Sequence, residues 1–478
     1  MEYSTIVTLY GAVGRIGGNI VLIEYKDRPI IIDFGKDFKQ YRKYFEFPSP
    51  LPTRSITREL IKTEIVPQIR DSKGNILPLY EKFEDGRLIE EEGESPVKDV
   101  FISHAHMDHS GFLTLLRKQI KIHMGGMANL IYSTMMMTKR EVTLESKLYW
   151  DECGKGERIA RLKIEPFHRG SKIDIDGIQI IPYPVDHSVP GAYGFIVQTP
   201  DKKIGYTGDF RMHGPAHTLT EDFKEALSKE PLDLLICEGT NMGIGRVESE
   251  ERVEKDAYKL IETSFKSGNR LVIVEVRSSD IDRIITFAQI AKELDSKIAV
   301  TPRMGYLLYQ IQRSGLDRRL LRSIPSLYKD VKVLMKSKAR LEWWEKDLLE
   351  DQRIETIDHT ELKSPSSKTI VLDSGRFNVF EVTPPPGTLY IQSISEHIDE
   401  EEEFGEERFI NAMALYGIIV YRLHSSGHVE PIDLINFINE VKPKRLIPIH
   451  TEHPEAFSEI FKGKMEVLLV EKGYHIKL

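Results

Sequence analysis

The chain has 478 residues, of which 40% are hydrophobic and 29% charged, a balance typical of globular proteins. This length exceeds what one compact core usually holds, so we expect two or more structural units. The two cysteines exclude a disulfide framework and a cysteine-rich zinc finger, and they suit a reducing cytoplasm. A formal charge of −8 argues against a protein that merely coats nucleic acid. The chain shows neither a long apolar span nor a signal peptide pattern, so we expect no membrane partner and a cytoplasmic location.

The first hundred residues predict short strands around a glycine-rich stretch, Gly11–Gly18. The strands predicted from apolar runs are Ile6–Tyr10, Ile20–Tyr25, Pro29–Asp33 and Val100–Ser103. Residues 36–98 are polar, charged and irregular, and we interpret them as an insertion or a lid. A helix is predicted at about residues 111–118.

Further along the chain, strands are predicted at 178–182, 194–198, 203–206 and 232–237. The pattern then changes to alternating helices and strands, and a run of helices is predicted from Gly305 to Leu349. This alternation predicts a second α/β unit with a mainly parallel sheet over residues 241–421. The parts before and after it, 1–240 and 422–478, are predicted to form one domain, and the last part contains a single helix at Pro431–Val441.

The densest group of metal-ligand side chains is the run His104-Ala-His106-Met-Asp108-His109, which directly follows the predicted strand Val100–Ser103. Four such side chains at a strand end can direct two imidazoles at one ion and an Asp–His pair at a second. Histidine and carboxylate together suit zinc, our first expectation, or manganese. A histidine-rich surface loop is the alternative, but the apolar strand ahead of the run favours a metal site.

Three more ligand-type residues, His187, Asp209 and His450, each come soon after a predicted strand. Taken singly they are weak signals, because a lone histidine is usually structural and Thr-Gly-Asp is a common turn. Their number and their order along the chain, together with the histidine run, indicate a site for two divalent metal ions.

This order resembles the metallo-β-lactamase fold, an αββα sandwich whose site motifs run Asp, His-x-His-x-Asp-His, His, Asp, His. The resemblance implies that one ion is held by His104, His106 and His187. It implies that the other ion is held by Asp108, His109 and His450, and that Asp209 bridges the two. Asp33 would support the site through hydrogen bonds without being a ligand.

Two more motifs extend the resemblance to the β-CASP branch of nucleic-acid-processing hydrolases, in which an α/β domain is inserted into the metallo-β-lactamase fold. The acidic motif is Glu238 in Cys237-Glu-Gly-Thr-Asn241, and the histidine motif is His428 in His424-Ser-Ser-Gly-His428. The unit at 241–421 occupies the position of the inserted domain. Within this branch the chain is most similar to the ribonuclease J family, notably in Gly14-Arg-Ile-Gly-Gly-Asn19 and in the ending at His450.

The chain departs from the ribonuclease J pattern at several places. Arg15 stands where the family commonly has an acid, and Thr451 follows His450 where Gly-Glu is usual. The stretch 36–98 is unusually long, and the family's separate C-terminal domain is expected to be absent. These departures leave the exact substrate and the oligomeric state open, with a homodimer among the alternatives.

The resemblance implies a phosphodiesterase that acts on RNA, exonucleolytically, endonucleolytically or both, through a hydroxide activated by two metals. The resemblance also favours RNA over DNA as the substrate, because DNA-processing members of the branch tend to lack a histidine at the position of His450. The residues expected to be catalytic are Asp108, Asp209, Glu238 and His428. The residues expected to contact phosphate or RNA are His424, Ser425, Ser426 and Gly427, with Ser279 and Arg283 at a helix N-terminus.

Three other functions remain open at this point. A hydrolase of small thioesters or lactams would use the same metal site but would not need the inserted domain. A DNA nuclease would share the chemistry. An inactive RNA-binding scaffold would lack ligands, whereas this sequence has a residue at every expected ligand position.

Overall fold

The computed structural model describes residues 4–45, 56–84, 87–89, 93–139, 149–153, 157–243, 248–316, 324–335, 341–375, 377–394 and 400–478. The chain divides into two compact units. Unit 1 comprises Met1–His187, Gly191–Arg246 and Gly427–Leu478, and unit 2 comprises Ser188–Pro190 and Val247–Ser426. Within the described residues, no helix combines the length and the apolar character needed to cross a membrane.

Unit 1 is built on two seven-stranded β-sheets. Its strands, numbered along the whole chain, are β1 (Ile6–Leu9), β2 (Val21–Tyr25), β3 (Arg28–Ile32), β4 (Lys82–Glu84), β5 (Arg87–Ile89), β6 (Asp99–Ile102), β7 (Lys121–Gly125), β8 (Trp150–Cys153), β9 (Glu157–Ala160), β10 (Ile164–Phe167), β11 (Ile173–Ile175), β12 (Ile178–Pro184), β13 (Tyr193–Gln198), β14 (Lys203–Tyr206), β15 (Leu234–Glu238), β23 (Arg445–Ile449), β24 (Glu466–Val467) and β25 (His475–Lys477). The first sheet has the order β10-β7-β6-β3-β2-β1-β25, and the second has the order β11-β12-β13-β14-β15-β23-β24. The strands β4 with β5, and β8 with β9, form separate hairpins.

Unit 1 has seven helices among its described residues. They are α1 (Phe38–Arg42), α2 (Ile56–Lys62), α3 (Met107–Ser110), α4 (Gly126–Thr138), α5 (His217–Ser228), α12 (Pro431–Val441) and α13 (Pro454–Ile460). Of these, α4, α5 and α13 pack on the seven-stranded sheets. Because side chains alternate along a strand, Ile236 of β15 lies in the core between the sheets, whereas Leu235 packs in the layer that contains α5 and α12. Helix α4 packs on β7 and β10 of the other sheet. Unit 1 is therefore an αββα sandwich.

Unit 2 is a parallel α/β unit. Its strands are β16 (Leu271–Glu275), β17 (Lys297–Val300), β18 (Lys332–Met335), β19 (Thr356–Asp358), β20 (Thr369–Asp373), β21 (Leu389–Gln392) and β22 (Ile419–Arg422). They form one sheet of order β19-β18-β17-β20-β16-β21-β22, with every pair parallel. Its helices are α6 (Glu250–Lys266), α7 (Ile281–Glu293), α8 (Pro302–Arg313), α9 (Trp343–Glu350), α10 (Val379–Val382) and α11 (Glu400–Leu415).

The predicted helix at 111–118 is wrong in its position. The structure has α3 four residues earlier, and only a short 3-10 turn at Leu113–Leu115 follows. The run of helices predicted from Gly305 to Leu349 is confirmed at α8 and α9 and wrong between them, where the parallel strand β18 lies. The last part of the chain contains α13 in addition to the predicted helix Pro431–Val441.

The stretch 36–98 contributes to the interior of unit 1. It carries α1, α2 and the hairpin of β4 and β5, and several of its apolar side chains are fully buried. These are Leu60, Val66, Ile69 and Leu79. The described part of this stretch is therefore a packed addition to the sandwich.

We expect Ile236→Ala to destabilise unit 1, because this fully buried side chain packs between the two sheets. A buried isoleucine cut to alanine typically costs about 2–5 kcal/mol through lost burial and the remaining cavity. Urea unfolding followed by circular dichroism measures the change. Leu469→Ala, at a side chain that is already 53% exposed, is the control. Equal midpoints for the two variants would contradict this account of the core.

Candidate metal centre

The carboxyl ends of parallel strands bring the ligand-type residues of unit 1 to one edge of the sandwich. In the first sheet β3 and β6 are parallel, and Asp33 and His104 follow them directly or after one residue. In the second sheet β14, β15 and β23 are parallel, and Asp209, Glu238 and His450 lie at or just beyond their ends. Side chains that are hundreds of residues apart in sequence therefore converge.

Three histidines form the first group of candidate ligands, called the first ligand group below. The Nδ1 atom of His106 lies 3.2 Å from Nε2 of His104 and 3.1 Å from Nε2 of His187. Their ring nitrogens all lie within 4.8 Å of one another. Ligands that each sit about 2 Å from a shared zinc ion have this kind of spacing.

The second ligand group consists of Asp108, His109, Asp209 and His450. His450 Nε2 lies 3.0 Å from Asp108 Oδ2, and His109 Nε2 lies 3.0 Å from Asp209 Oδ2. The same Asp209 oxygen is 3.6 Å from Nε2 of His104, in the first group. Asp209 therefore lies between the two groups.

Asp33 is fully buried beneath these ligands and accepts hydrogen bonds from both sheets. Its Oδ2 atom accepts hydrogen bonds from the Ser103 hydroxyl at 2.8 Å, from His109 Nδ1 at 2.7 Å and from the Tyr206 hydroxyl at 2.5 Å. Its Oδ1 receives the backbone N–H of Ser103 at 2.7 Å. Because Nδ1 of His109 donates to Asp33, Nε2 of that ring is directed at the ligand group.

Glu238 and His428 form a third group with Asp209 and His450. His428 Nδ1 lies 3.1 Å from Glu238 Oε2, and the other Glu238 oxygen accepts the backbone N–H of Phe210 at 2.9 Å. Glu238 is fully buried, whereas the His428 side chain retains 21% of its exposure. The histidine is thus held by a buried carboxylate and still reaches solvent.

Several residues at this site were not singled out from the sequence. Tyr206 and Ser103 hold Asp33, and Thr240 contacts Glu238, His428 and His450. Thr240 belongs to the motif Cys237–Asn241, but the sequence assigned it no role. Tyr206 and Ser103 contact Asp33 across strands, so spacing along the chain could not have revealed those contacts.

A buried ion pair braces the loops that carry His187 and Asp209. Arg211 Nε donates to Asp186 Oδ1 at 3.0 Å, and both side chains are almost completely buried. Asp186 also accepts the backbone N–H of Ala216 at 3.1 Å. Asp186 is adjacent to His187, and Arg211 is two residues from Asp209. The ion pair therefore connects the two loops that carry these candidate ligands.

Burial and neighbouring charges shift the pKa values of the site in opposite directions. Burial, with nearby histidines, lowers the pKa of His104 and of His187 well below the usual histidine value. Burial also disfavours the charged form of His109, but the carboxylates of Asp209, Asp33 and Asp108 outweigh it and raise its pKa. Burial acts against His428 too, yet Glu238 and Asp209 raise its pKa to about 9.

The donor atoms suit a divalent cation. Neutral imidazoles and carboxylates are the ligands that zinc and manganese accept in proteins. The Oδ1 atom of Asp209 is buried and has no hydrogen-bond partner among the described residues. An unpaired buried carboxylate oxygen is costly, and a cation would satisfy it.

The backbone is strained at two of the site residues. Asp33 has φ +58° and His450 has φ +51°, in the left-handed region that costs a non-glycine residue about 1–2 kcal/mol. Their neighbours maintain this geometry. The Asp33 N–H donates to Phe101 O at 2.8 Å, and the His450 N–H donates to Ala12 O at 2.9 Å.

Only a glycine fits at position 35, because a side chain there would clash with the backbone of Asp108. A Cβ at this position would lie 1.6 Å from the backbone oxygen of Asp108, one of the candidate ligands. The close approach lets the loop after β3 pack directly against α3.

The residues predicted to contact phosphate divide between the units. Gly427 belongs to unit 1, and its carbonyl accepts His187 Nδ1 at 2.5 Å. His424, Ser425 and Ser426 belong to unit 2, where Ser425 is buried. The role of these residues in binding phosphate stays a prediction.

Ser279 and Arg283 lie at the start of α7 in unit 2. Arg283 is fully buried, and its guanidinium donates to Glu250 at 3.0 Å and to the Ser393 hydroxyl at 2.9 Å. Asp280, not a serine, caps the helix through the N–H of Arg283. A phosphate contact by Ser279 and Arg283 also stays a prediction.

The sandwich and its histidine and aspartate groups define the metallo-β-lactamase class of fold, as the motifs predict. Residues 85–248 match the model of the beta-lactamase superfamily domain. The whole chain also aligns with a crystal structure of a protein of unknown function from Enterococcus faecalis, with a TM-score of 0.75 and 23% identity over 99% of this chain and 100% of that one.

Curated relatives bear the name ribonuclease J. The sequence is 25% identical to Ribonuclease J of Mycoplasma genitalium over 461 residues, 94% of this chain and 68% of the relative. It is 23% identical to Ribonuclease J 1 of Streptococcus pyogenes over 478 residues, 97% of this chain and 72% of the relative. The predicted resemblance is confirmed: this is a ribonuclease J-like sequence with a metallo-β-lactamase fold.

We expect Arg211→Met to destabilise unit 1 strongly, because it leaves the buried Asp186 carboxylate without its partner. Removing one member of a buried pair costs about 3–5 kcal/mol. Chemical denaturation measures the loss. The double variant Asp186→Asn with Arg211→Met should regain part of the stability, since no unpaired charge remains. A double variant as unstable as the sum of both single variants would contradict the pairing.

Proposed function

We propose that this protein is a metal-dependent ribonuclease, which hydrolyses phosphodiester bonds in RNA with two divalent metal ions. The observation that carries the proposal is the pair of adjacent ligand groups, with Asp209 between them. The similarity to proteins named ribonuclease J supports RNA as the substrate. Under this proposal, unit 2 corresponds to the inserted β-CASP domain predicted at 241–421.

The proposed ligands of the first ion are His104, His106 and His187. The proposed ligands of the second ion are Asp108, His109 and His450, with Asp209 shared. We expect zinc first, and manganese as the alternative, because the ligands combine imidazoles with carboxylates. When bound, two such ions supply a hydroxide at neutral pH and neutralise charge on the phosphoryl group.

The protein's own residues would orient the reaction. Asp108 and Asp209 would direct the attacking oxygen toward phosphorus through their carboxylates. The bond between phosphorus and the leaving oxygen then breaks, and that oxygen needs a proton. His428, held by Glu238 at 3.1 Å and partly exposed, is the group we assign to deliver it. We also propose that His424, Ser425, Ser426 and Gly427 contact phosphate oxygens, with Ser279 and Arg283 as further candidates.

The proposal predicts that the purified protein binds about two zinc or manganese ions and hydrolyses RNA. Chelation with EDTA should abolish hydrolysis, and either metal should restore it. The substrates to compare are 5′-phosphorylated RNA, 5′-triphosphorylated RNA, and single- and double-stranded DNA. His106→Ala and His450→Ala should each lower the metal content toward one ion, because each removes a ligand from a different group.

A matched control for these variants is His475→Ala. His475 lies on β25 and contacts the Thr8 hydroxyl, not the ligand groups. It should keep both ions. Two ions without hydrolysis of any RNA would reject the ribonuclease and favour a hydrolase of small thioesters or lactams. Hydrolysis of DNA alone would reject RNA as the substrate.

We expect His428→Ala to keep both ions yet lose activity, because its proposed role is proton transfer. General acid catalysis by one side chain is worth about 10²–10⁴ in rate. Single-turnover kinetics, with metal content measured on the same samples, provides the comparison. Loss of an ion in parallel with activity would instead make His428 a ligand.

A further inference from the structure

Thr240 lies two residues after Glu238, and its hydroxyl meets three groups of the centre. Thr240 Oγ1 is 2.7 Å from Glu238 Oε2, 2.7 Å from His450 Nδ1 and 3.1 Å from His428 Nδ1. A hydroxyl has one proton to donate and two lone pairs that accept. The two shortest contacts, to Glu238 and to His450, decide where the hydroxyl proton lies.

The hydroxyl proton goes to Glu238. A carboxylate oxygen can only accept, and hydrogen bonds to charged acceptors are about twice as strong as those to neutral ones. If the proton went instead to His450 Nδ1, two acceptor oxygens would face each other at 2.7 Å. The carbonyl of His450, at 3.2 Å, is a more distant acceptor, and a bond to it would still leave the lone pairs of Thr240 for the ring.

This arrangement determines which nitrogen of His450 carries the proton. With its own proton committed to Glu238, Thr240 can only accept from His450, so Nδ1 of that ring is the N–H. In the neutral ring, the Nε2 atom then carries the lone pair. It faces Asp108 Oδ2 at 3.0 Å, and a metal cation bound beside both acceptors would offset their repulsion.

We infer that Thr240 is a positioning residue that sets the tautomer of His450 and so makes the His450–Asp108 pair a metal-binding pair. This inference rests on the proposed function, because it concerns the second of the two proposed ions. A hydrogen bond from the other ring nitrogen commonly orients a metal-ligating histidine. Here a hydroxyl provides it, because the buried carboxylate of Glu238 has taken the hydroxyl's proton.

The first ligand group contains the same arrangement. The Ser103 hydroxyl donates to Asp33 at 2.8 Å, and it lies 3.0 Å from His104 Nδ1. In both places a carboxylate, a hydroxyl and an imidazole are linked in series. The first series is Asp33, Ser103 and His104. The second series is Glu238, Thr240 and His450. The repetition on separate sheets supports a shared purpose, which is to leave Nε2 of each ring free for an ion.

The test replaces Thr240 with valine, which has nearly the same shape but no hydroxyl, and with serine, which keeps the hydroxyl. Metal affinity is measured by titration against a competing chromophoric chelator, with zinc and with manganese. Thr240→Val should bind one ion as the wild type does and the second about 10–100-fold more weakly. Thr240→Ser should retain both affinities, since its hydroxyl can make the same contacts.

Thr451→Val is the matched control, because Thr451 adjoins His450 and is fully buried, but its hydroxyl accepts the N–H of His453. It should keep both affinities. Thermal melting of the metal-free proteins shows whether each variant folds, and weaker second-ion binding by Thr240→Val at an unchanged melting temperature supports the inference. If the wild type binds two ions and Thr240→Val binds both equally well, the tautomer role is overturned while the proposed function stands. If the wild type binds no metal, both are overturned.

Discussion

The candidate metal centre depends on one buried carboxylate, that of Asp33. It is fully buried, and it accepts hydrogen bonds from Ser103 and His109 after the end of β6 and from Tyr206 at the end of β14. Since β6 and β14 belong to different sheets, this single side chain ties the two halves of the sandwich together beneath the ligands. Its left-handed backbone is strained, and four hydrogen bonds to its side chain offset that strain.

The sequence predicted the parts of this protein that leave a dense local pattern. Four ligand-type residues within His104–His109 mark a metal site even in isolation, and the apolar runs around them mark strands. The two-residue hairpin turn between β2 and β3 lies at Lys26 and Asp27, which adopt positive φ without any glycine to mark it in the sequence. Isolated residues such as His187 could be assigned as candidate ligands only because their order along the chain matches that of a known family.

What the sequence did not reveal is decided by contacts between distant segments. The contact of Thr240 with His450 and the Asp186–Arg211 pair each join segments that are distant in the chain, so neither contact could be read from local spacing. The strand β18 was mistaken for helix because Lys332–Met335 is a run of four residues whose types are equally compatible with a helix. Its strand character comes from pairing with β17 and β19 on either side.

The position of β23 has a consequence for how the protein is made. This strand carries His450 and fits between β15 and β24, so the second sheet is incomplete until it arrives. Chains are synthesised from the N-terminus, and the histidine run at 104–109 emerges more than 300 residues before His450. A nascent chain therefore carries most of the ligands but no complete centre. The candidate metal centre is therefore complete only after the whole of unit 2 has left the ribosome, although six of its seven candidate ligands were synthesised before the main segment of unit 2, Val247–Ser426, began.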